Sequence, residues 1–501
     1  MGSVSTRAAQ HGPDKDKERV VILGSGWAGY GLARTLSASK YTRILISPRS
    51  HFVFTPLLAS TSVGTLEFRA AIEPVRRLGL SEFHQAWASS IDFGRKVIRV
   101  EANTQGDVGA RTDAQQLNGS RAAAAAGWEV EKGPEFEVEY DKLVIAVGCY
   151  SQTFGIEGVK EHACFLRDIG DARTIRLRVL EAFERAALPP TDEAERRALL
   201  HFVVVGGGPT GIEFAAELHD LVHEDLAKLY PSLVPLVRIT IYDIAPKVLP
   251  MFDRNLASYA TDLFRRQGIE VKTEHHLECI RREEGDGRTL KLRVREEAEE
   301  VDAGLVVWST GLMQNPLVGR ILGEDVGIEG LGRICKDPRT GGIVTDEYMR
   351  VQVQVQAQSE EQSSQSQQSQ QGPDGEETSR ATLPDVFAIG DCAVVEGQQY
   401  PATAQVANQQ AVYLGRRFNE ETRSSTARAP QPFRFRNLGV MAYLGSQKAI
   451  HQSSADELKG WPAWVLWRTA YLTKSMSIRN KIMIPVHWLV TWVFGRDISR
   501  F

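Results

Sequence analysis

Two glycine-rich loops constrain this chain more than any other feature. The first reads Arg19-Val-Val-Ile-Leu-Gly24-Ser25-Gly26-Trp-Ala-Gly29, and the second His201-Phe-Val-Val-Val-Gly206-Gly207-Gly208-Pro-Thr-Gly211. Each has the order buried strand, G-x-G-x-x-G, helix. That order turns the backbone tightly, lets it approach a pyrophosphate and aims a helix N-terminus at negative charge. One such loop is a weak signal. Two in strand–helix context imply two bound dinucleotides, and hence electron transfer between them.

The bulk properties leave room for that reading. The 501 residues are enough for two or three domains. A net charge of −4 gives no reason to expect nucleic acid. The five cysteines (Cys149, Cys164, Cys279, Cys335, Cys392) form no C-x-x-C or C-x4-C pair, which argues against a disulfide framework, a zinc site and a dithiol redox centre. No metal is expected. No apolar run is long enough for a transmembrane helix, and the N-terminus has no signal-peptide core. Met1-Gly2-Ser-Val-Ser-Thr6 matches the myristoylation pattern, but such short patterns arise often by chance and a disordered tail is the favoured reading.

Residues 101–135, rich in Ala, Gly, Gln and Asn, read as a surface insertion. Residues 351–380, dominated by Gln, Ser and Glu, read as a disordered loop. A charged helix with a break at Pro189-Pro190 spans 169–200. A second helix runs from Ile212 to about Tyr230, and a meander of charged strands follows.

The ends of the second strands bear on ligand identity. An acid there binds ribose hydroxyls and repels the extra phosphate of NADP. Asp243, closing Ile239-Thr-Ile-Tyr-Asp243, fills that place in the second unit and favours NADH; the alternative is a solvated strand end. The first unit has no such acid and offers Ser47, so its glycines alone do not fix its ligand.

The segment Ser47-Pro48-Arg49-Ser-His-Phe-Val-Phe-Thr55-Pro56-Leu57-Leu58, with Ser62-Val-Gly-Thr65 and Ile72-Glu-Pro-Val75, resembles the type II (alternative, non-proton-pumping) NADH:quinone oxidoreductases, the fungal mitochondrial branch most closely. The resemblance continues through Val203 to Glu213, Phe387-Ala-Ile-Gly390-Asp391, Thr403-Ala404-Gln405-Val-Ala-Asn-Gln409 and Leu438 to Gly445. It implies an α/β chain with two Rossmann-type dinucleotide-binding domains and a C-terminal amphipathic helical membrane-anchoring region. The implied division is a tail at 1–18, FAD-binding segments at 19–200 and 316–431, an NADH-binding segment at 201–315, and a membrane-association and dimerisation region at 432–501. The expected product is a homodimer.

In that family Ser-Pro-Arg replaces the usual acid of the FAD unit. The resemblance therefore assigns FAD to Gly24, Ser25, Gly26, Gly29, Ser47, Pro48, Arg49, Thr55, Gly390 and Asp391. Pro56 and Leu57 would lie beside the isoalloxazine ring. Gly206, Gly207, Gly208, Gly211 and Asp243 would hold NADH. Gly148, with Val147, and Thr310-Gly311 would be linker turns. The Gly390-Asp391 pair also reads simply as a turn. Glu213 would sit near the nicotinamide and flavin, although an acid early in a helix is also favoured by the helix dipole alone. Ala404, Gln405 and Gln409 would open a helix toward the flavin pyrimidine edge and the quinone, the two glutamines sharing a face. Asn408 and Asn437 stand where the family often has His and Asp, which removes two titratable groups from the quinone side. The implied reaction is hydride transfer from NADH to flavin N5, then two electrons to ubiquinone. No EF-hand loop is present, so calcium control by that route is not expected.

The C-terminal stretch supplies a route to the lipid-soluble acceptor. Trp461, Trp464, Trp467, Trp488 and Trp492 lie there, with Arg468, Lys474, Arg479, Lys481, Arg496 and Arg500 against one acid, Asp497. Trp464, Trp467, Ala470 and Tyr471 follow helical spacing. Ile482–Phe494 is apolar but too short to span a bilayer. Residues 461–501 thus read as an interfacial helix pair on anionic lipid, with a dimer interface or docked core helix as the alternative. The expected address is the mitochondrial inner membrane, peripherally, on a face the sequence leaves open; the cytosol or another membrane also fits. Two rivals share the loops: an apoptosis-inducing-factor or ferroptosis-suppressor type of NAD(P)H flavoprotein, and an NADH-sensing scaffold without turnover.

Overall fold

The computed structural model describes residues 17–104, 132–283, 289–355, 379–421, 431–454 and 456–500. The chain gathers into two compact units. One holds the chain up to Phe52 with Pro74–Tyr150 and Met313–Arg436. The other holds Val53–Glu73, Ser151–Leu312 and Asn437 onward.

Among the described residues the first unit is built on an 11-stranded sheet. Its centre is the strand Glu18–Leu23, whose Val20, Val21 and Ile22 have no exposed surface. Burial on both faces explains why it reads as a continuous apolar run rather than an alternating one. It pairs in parallel with Tyr41–Ser47 on one side and Lys142–Ile145 on the other, and the latter pairs with Arg380–Ala388. The helix Trp27–Thr35 returns over this sheet and packs against Ala404–Glu421.

Both expected insertions are rooted in strands. Val97–Ala102 pairs antiparallel with Glu135–Glu139, so Glu101, Ala102 and Glu135 belong to the sheet. Residues 105–131 lie outside the described residues. The reading of 351–380 as a loop is corrected at its start: Arg350–Val355 is a strand paired with Arg380–Ala388, and Val351 and Val353 are fully buried. The alternation Val351-Gln-Val-Gln-Val355 has the period of a half-buried strand, and the glutamine-rich composition downstream obscured it. Residues 356–378 lie outside the described residues.

The second unit carries a 5-stranded parallel sheet in the order Cys164–Phe165, Leu305–Trp308, His201–Val205, Arg238–Asp243, Ile269–Thr273. The charged helix Ile169–Ala186 starts at a capping box of Asp168 and Asp171 and turns Ala172, Ile175, Val179 and Phe183 inward. Phe183 stacks on Phe202 of the central strand at 6.2 Å. This packing groups residues 151–200 with the second glycine loop, whereas the sequence reading placed them in the first FAD-binding segment. The charged meander is a three-stranded antiparallel sheet, Leu277–Arg282, Leu290–Val294 and Val301–Ala303. A further sheet of Val440–Tyr443, Ala449–Gln452 and Glu457–Gly460 leads into two helices, Trp461–Lys474 and Ile478–Phe494.

A contrast between two glycines of one loop checks the first unit. A Cβ on Gly29 would lie 1.9 Å from the Gly24 carbonyl oxygen, whereas one on Gly26 meets nothing within 4 Å. Gly29→Ala should lower unfolding stability by about 1–3 kcal/mol through overpacking. Gly26→Ala should leave it within about 0.5 kcal/mol. Denaturant titration of both variants measures the difference.

Candidate functional site

The two glycine loops repeat one geometry. Gly24 N–H donates to the Ile46 carbonyl at 2.8 Å, and Gly206 N–H to the Tyr242 carbonyl at 2.8 Å. Gly24 and Gly206 have φ of 104° and 114°, which favours glycine. A Cβ on Gly211 would lie 2.0 Å from the Gly206 carbonyl oxygen, so the third glycine lets each helix close on its loop.

What the loops leave open matters as much. Gly26 and Gly208 each begin a helix with no side-chain cap and no acid in the first turn. Other helices of this chain are capped by acids, Asp168 and Asp253 among them. A Cβ on Gly26 or Gly208 would meet nothing within 4 Å. Two uncapped helix N-termini facing open space fit two pyrophosphates, and Rossmann-type loops of this spacing fit FAD and NADH.

The strand ends differ as expected. Ser47 Oγ lies 2.8 Å from Ser25 Oγ and accepts from Arg49 N–H, so a hydroxyl ties the first loop to its neighbouring strand. In the second unit the Asp243 carboxylate accepts from Gly207 N–H and, at 2.7 Å, from Ala245 N–H. Asp243 is thus anchored at the end of its strand beside the loop.

The remaining candidates fall into both units. In the first, the Pro48 carbonyl accepts from Asn103 and Gln85. Gly148 has φ of 66°, in the left-handed region that favours glycine. Gly390-Asp391 opens a short turn whose Gly390 N–H donates to Gln410 Oε1 at 2.7 Å. Gln410 is buried and escaped the sequence reading, which singled out its neighbours. Ala404 and Gln405 begin the helix Ala404–Glu421. Gln409 spends both ends of its amide on the backbone of Arg436, at 2.8 and 3.0 Å. In the second unit, Thr55, Pro56 and Leu57 form a single helical turn with Leu57 fully buried. Gly311, after Thr310, has φ of 75°, and a Cβ there would meet the Gln152 carbonyl oxygen at 2.8 Å.

Glu213 is not a cap. It is the fifth residue of the helix Pro209–Asp220 and is 6% exposed. Its carboxylate accepts from Tyr443 N–H at 3.1 Å and Trp467 Nε1–H at 3.0 Å. Burial pushes its pKa up to about 8 against these two bonds, and Glu217 adds to the rise. Two further acids lie along the same face at helical spacing. Glu217 accepts from Ser60 and Thr65 at 2.6 and 2.7 Å. Asp220 accepts from the Tyr443 hydroxyl at 2.6 Å and from Ser446 N–H. The signal that could have found them is an i, i+4, i+7 acidic row in an otherwise apolar helix.

The last two helices present an apolar surface. Ile478, Trp492 and Phe494 are 78%, 78% and 82% exposed, and Trp461, Ile482 and Leu489 are also exposed. Trp467, by contrast, is buried on Glu213. Among the described residues no helix is long and apolar enough to cross a membrane. Arg496 pins the end of the second helix, donating to Asp225 at 2.7 Å, Glu224 at 2.8 Å and Thr65 at 2.9 Å.

Comparison with known proteins agrees with this arrangement. Residues 18–356 match the family model described as pyridine nucleotide-disulphide oxidoreductase, and residues 437–497 match that of the NDH2 C-terminal domain. The chain is 37% identical to a probable NADH dehydrogenase of Dictyostelium discoideum over 99% of its length and 94% of that protein's. It is 35% identical to an internal alternative NAD(P)H-ubiquinone oxidoreductase A1, mitochondrial, of Solanum tuberosum, covering 97% of this chain and 88% of that one. A probable mitochondrial NADH-ubiquinone oxidoreductase of Schizosaccharomyces pombe is 30% identical, over 96% and 83%. Among solved structures, Plasmodium falciparum NDH2 in complex with NADH superposes with a TM-score of 0.77 at 23% identity, over 96% of this chain and 100% of that one.

The Glu213 environment has a pH signature. Its folded pKa lies above the ordinary carboxylate value of 4.5, so the folded state binds the proton more tightly than the unfolded chain. Its stabilising contribution is complete below about 4.5 and is lost as pH rises toward about 8. Glu213→Gln should flatten the fall in stability across that window by up to about 1.4 kcal/mol per pH unit. Denaturant midpoints of both proteins between those limits test this. Glu217, raised by its own burial, keeps a residual slope of the same sign.

Proposed function

The chain belongs to the type II NADH dehydrogenase family, NDH2, and from that premise we infer that it is a non-proton-pumping, FAD-dependent NADH:ubiquinone oxidoreductase of the mitochondrial respiratory chain. The observation that carries the reading is the pair of uncapped helix N-termini, each at the carboxyl end of a central parallel strand. Held by the first loop, FAD would supply a two-electron, hydride-accepting carrier between NADH and the quinone, whose reduction to quinol takes up two protons.

The chain's residues bind and orient. Gly24, Gly26 and Gly29 receive the flavin pyrophosphate, and the Ser25–Ser47 pair takes the place of the missing acid. Gly206, Gly208 and Gly211 receive that of NADH. Asp243, with its ribose-edge acceptor charge, disfavours a 2′-phosphate. Glu213 holds a proton near neutral pH, which suits it to proton exchange during turnover. Gln410 fixes the Gly390-Asp391 turn, while Gln409 secures Arg436. The carboxy-terminal match, at residues 437–497, favours this reading over an apoptosis-inducing-factor type of flavoprotein or a scaffold without turnover.

The exposed apolar row from Ile478 to Phe494 supports peripheral seating on the inner membrane, with homodimerisation through the same region. Trp492→Glu and Phe494→Glu together should abolish flotation with liposomes while leaving flavin content unchanged.

Anaerobic stopped-flow tests the reaction itself. NADH should bleach the bound flavin rapidly, and a short-chain ubiquinone should restore its absorbance as rapidly. Bleaching without recovery would exclude quinone as the acceptor.

A further inference from the structure

A cavity of about 820 Å³ opens between the two C-terminal helices and the acidic helix of the second unit. This volume falls in the range of small-molecule sites. Its inner wall is polar, with Thr65, Glu217 and Arg496. Its outer wall is aromatic and apolar, with Trp461, Trp492 and Phe494, all exposed. An occupant therefore has a polar head and an apolar tail.

The charges on the wall narrow the head. Every acid there has donors. Glu217 takes Ser60 and Thr65, Asp220 takes Tyr443 and Ser446, and Asp225 and Glu224 share Arg496. Arg468 and Lys228 also line the cavity and, among the described residues, neither forms an ion pair, although Arg468 lies within the field of Glu217 and Glu224. The Arg468 guanidinium is clamped between the rings of Trp464 and Trp488, 4.4 Å from each centroid, and its Nε is buried without a hydrogen-bond partner. Two indole faces fix the cation in place and, with Nε sealed from access, leave its terminal nitrogens as the groups that can meet a ligand. A planar guanidinium so held matches a phosphate.

We propose that this cavity is a binding site for one glycerophospholipid, its phosphate on Arg468 and Lys228 and its acyl chains leaving past Trp461, Trp492 and Phe494. The proposal rests on the membrane-facing reading of the two helices. A short-chain lipid below its critical micelle concentration tests the site apart from membrane attachment, since no bilayer is present.

The experiment titrates the flavin-loaded full chain with dihexanoyl-phosphatidylcholine, followed by tryptophan fluorescence. Saturable quenching is expected, with dihexanoylglycerol, which lacks the phosphate, binding at least about tenfold more weakly. Arg468→Gln should weaken the phospholipid about tenfold or more and Lys228→Gln less, while NADH oxidation by a short-chain ubiquinone in detergent stays unchanged. Lys228→Gln decides the matter if Arg468→Gln fails to fold. A linear, unsaturable response, equal affinity for the phosphate-free analogue, or undiminished binding by the folded variants would overturn the proposal. So would displacement of the lipid by ubiquinone, which would give the cavity to the quinone.

Discussion

Each dinucleotide loop depends on a contact with no room for a side chain. Helix and loop approach so closely at Gly29 and Gly211 that the space for a Cβ is already filled by the carbonyl oxygen of Gly24 or Gly206. That approach lets a helix begin at the mouth of its own strand, with its first N–H groups turned outward. At Asp168, Asp192 and Asp253 the chain satisfies helix starts with aspartate; at Gly26 and Gly208, as at Gly460, it leaves them bare. A bare N-terminus in open space leaves its N–H groups to water, and an arriving anion can take them over.

The second constraint is the burial of three carboxylates on one helix. Glu213, Glu217 and Asp220 point into the unit that contains them, and each has donors drawn from distant segments. Ser60 and Thr65 come from the short segment between Val53 and Glu73, Tyr443 from the C-terminal sheet and Trp467 from the helix after it. A buried acid without such partners would be destabilising. The acids thus specify where those segments dock, and the C-terminal region is held by polar contacts as well as by apolar packing.

Much of this was legible in the residues. The glycine spacing gave the loops, Asp243 and Ser47 gave the two unlike strand ends, and the tryptophan-rich tail gave a helix pair. Other features required three dimensions. Nothing near Gln410 distinguishes it from Gln405 or Gln409 except its burial against Gly390. Whether Glu213 capped its helix or faced inward turned on partners more than two hundred residues away in sequence. The strand Arg350–Val355 was written in its alternation, but composition was weighed before period.

The acidic helix continues beyond Asp220 into a π-helical turn, Leu221–Leu226, before resuming at Ala227. Such a turn accommodates one residue more than an α-helix of equal rise. Winding these same residues as an ordinary α-helix would rotate everything downstream by about 100°. Asp225 would swing off Arg496, and the end of the last helix would lose its tether. The irregular turn therefore acts as a phase adjuster: by absorbing one extra residue it sets the angle at which Asp225 meets Arg496 and so where the last helix of this unit is tethered.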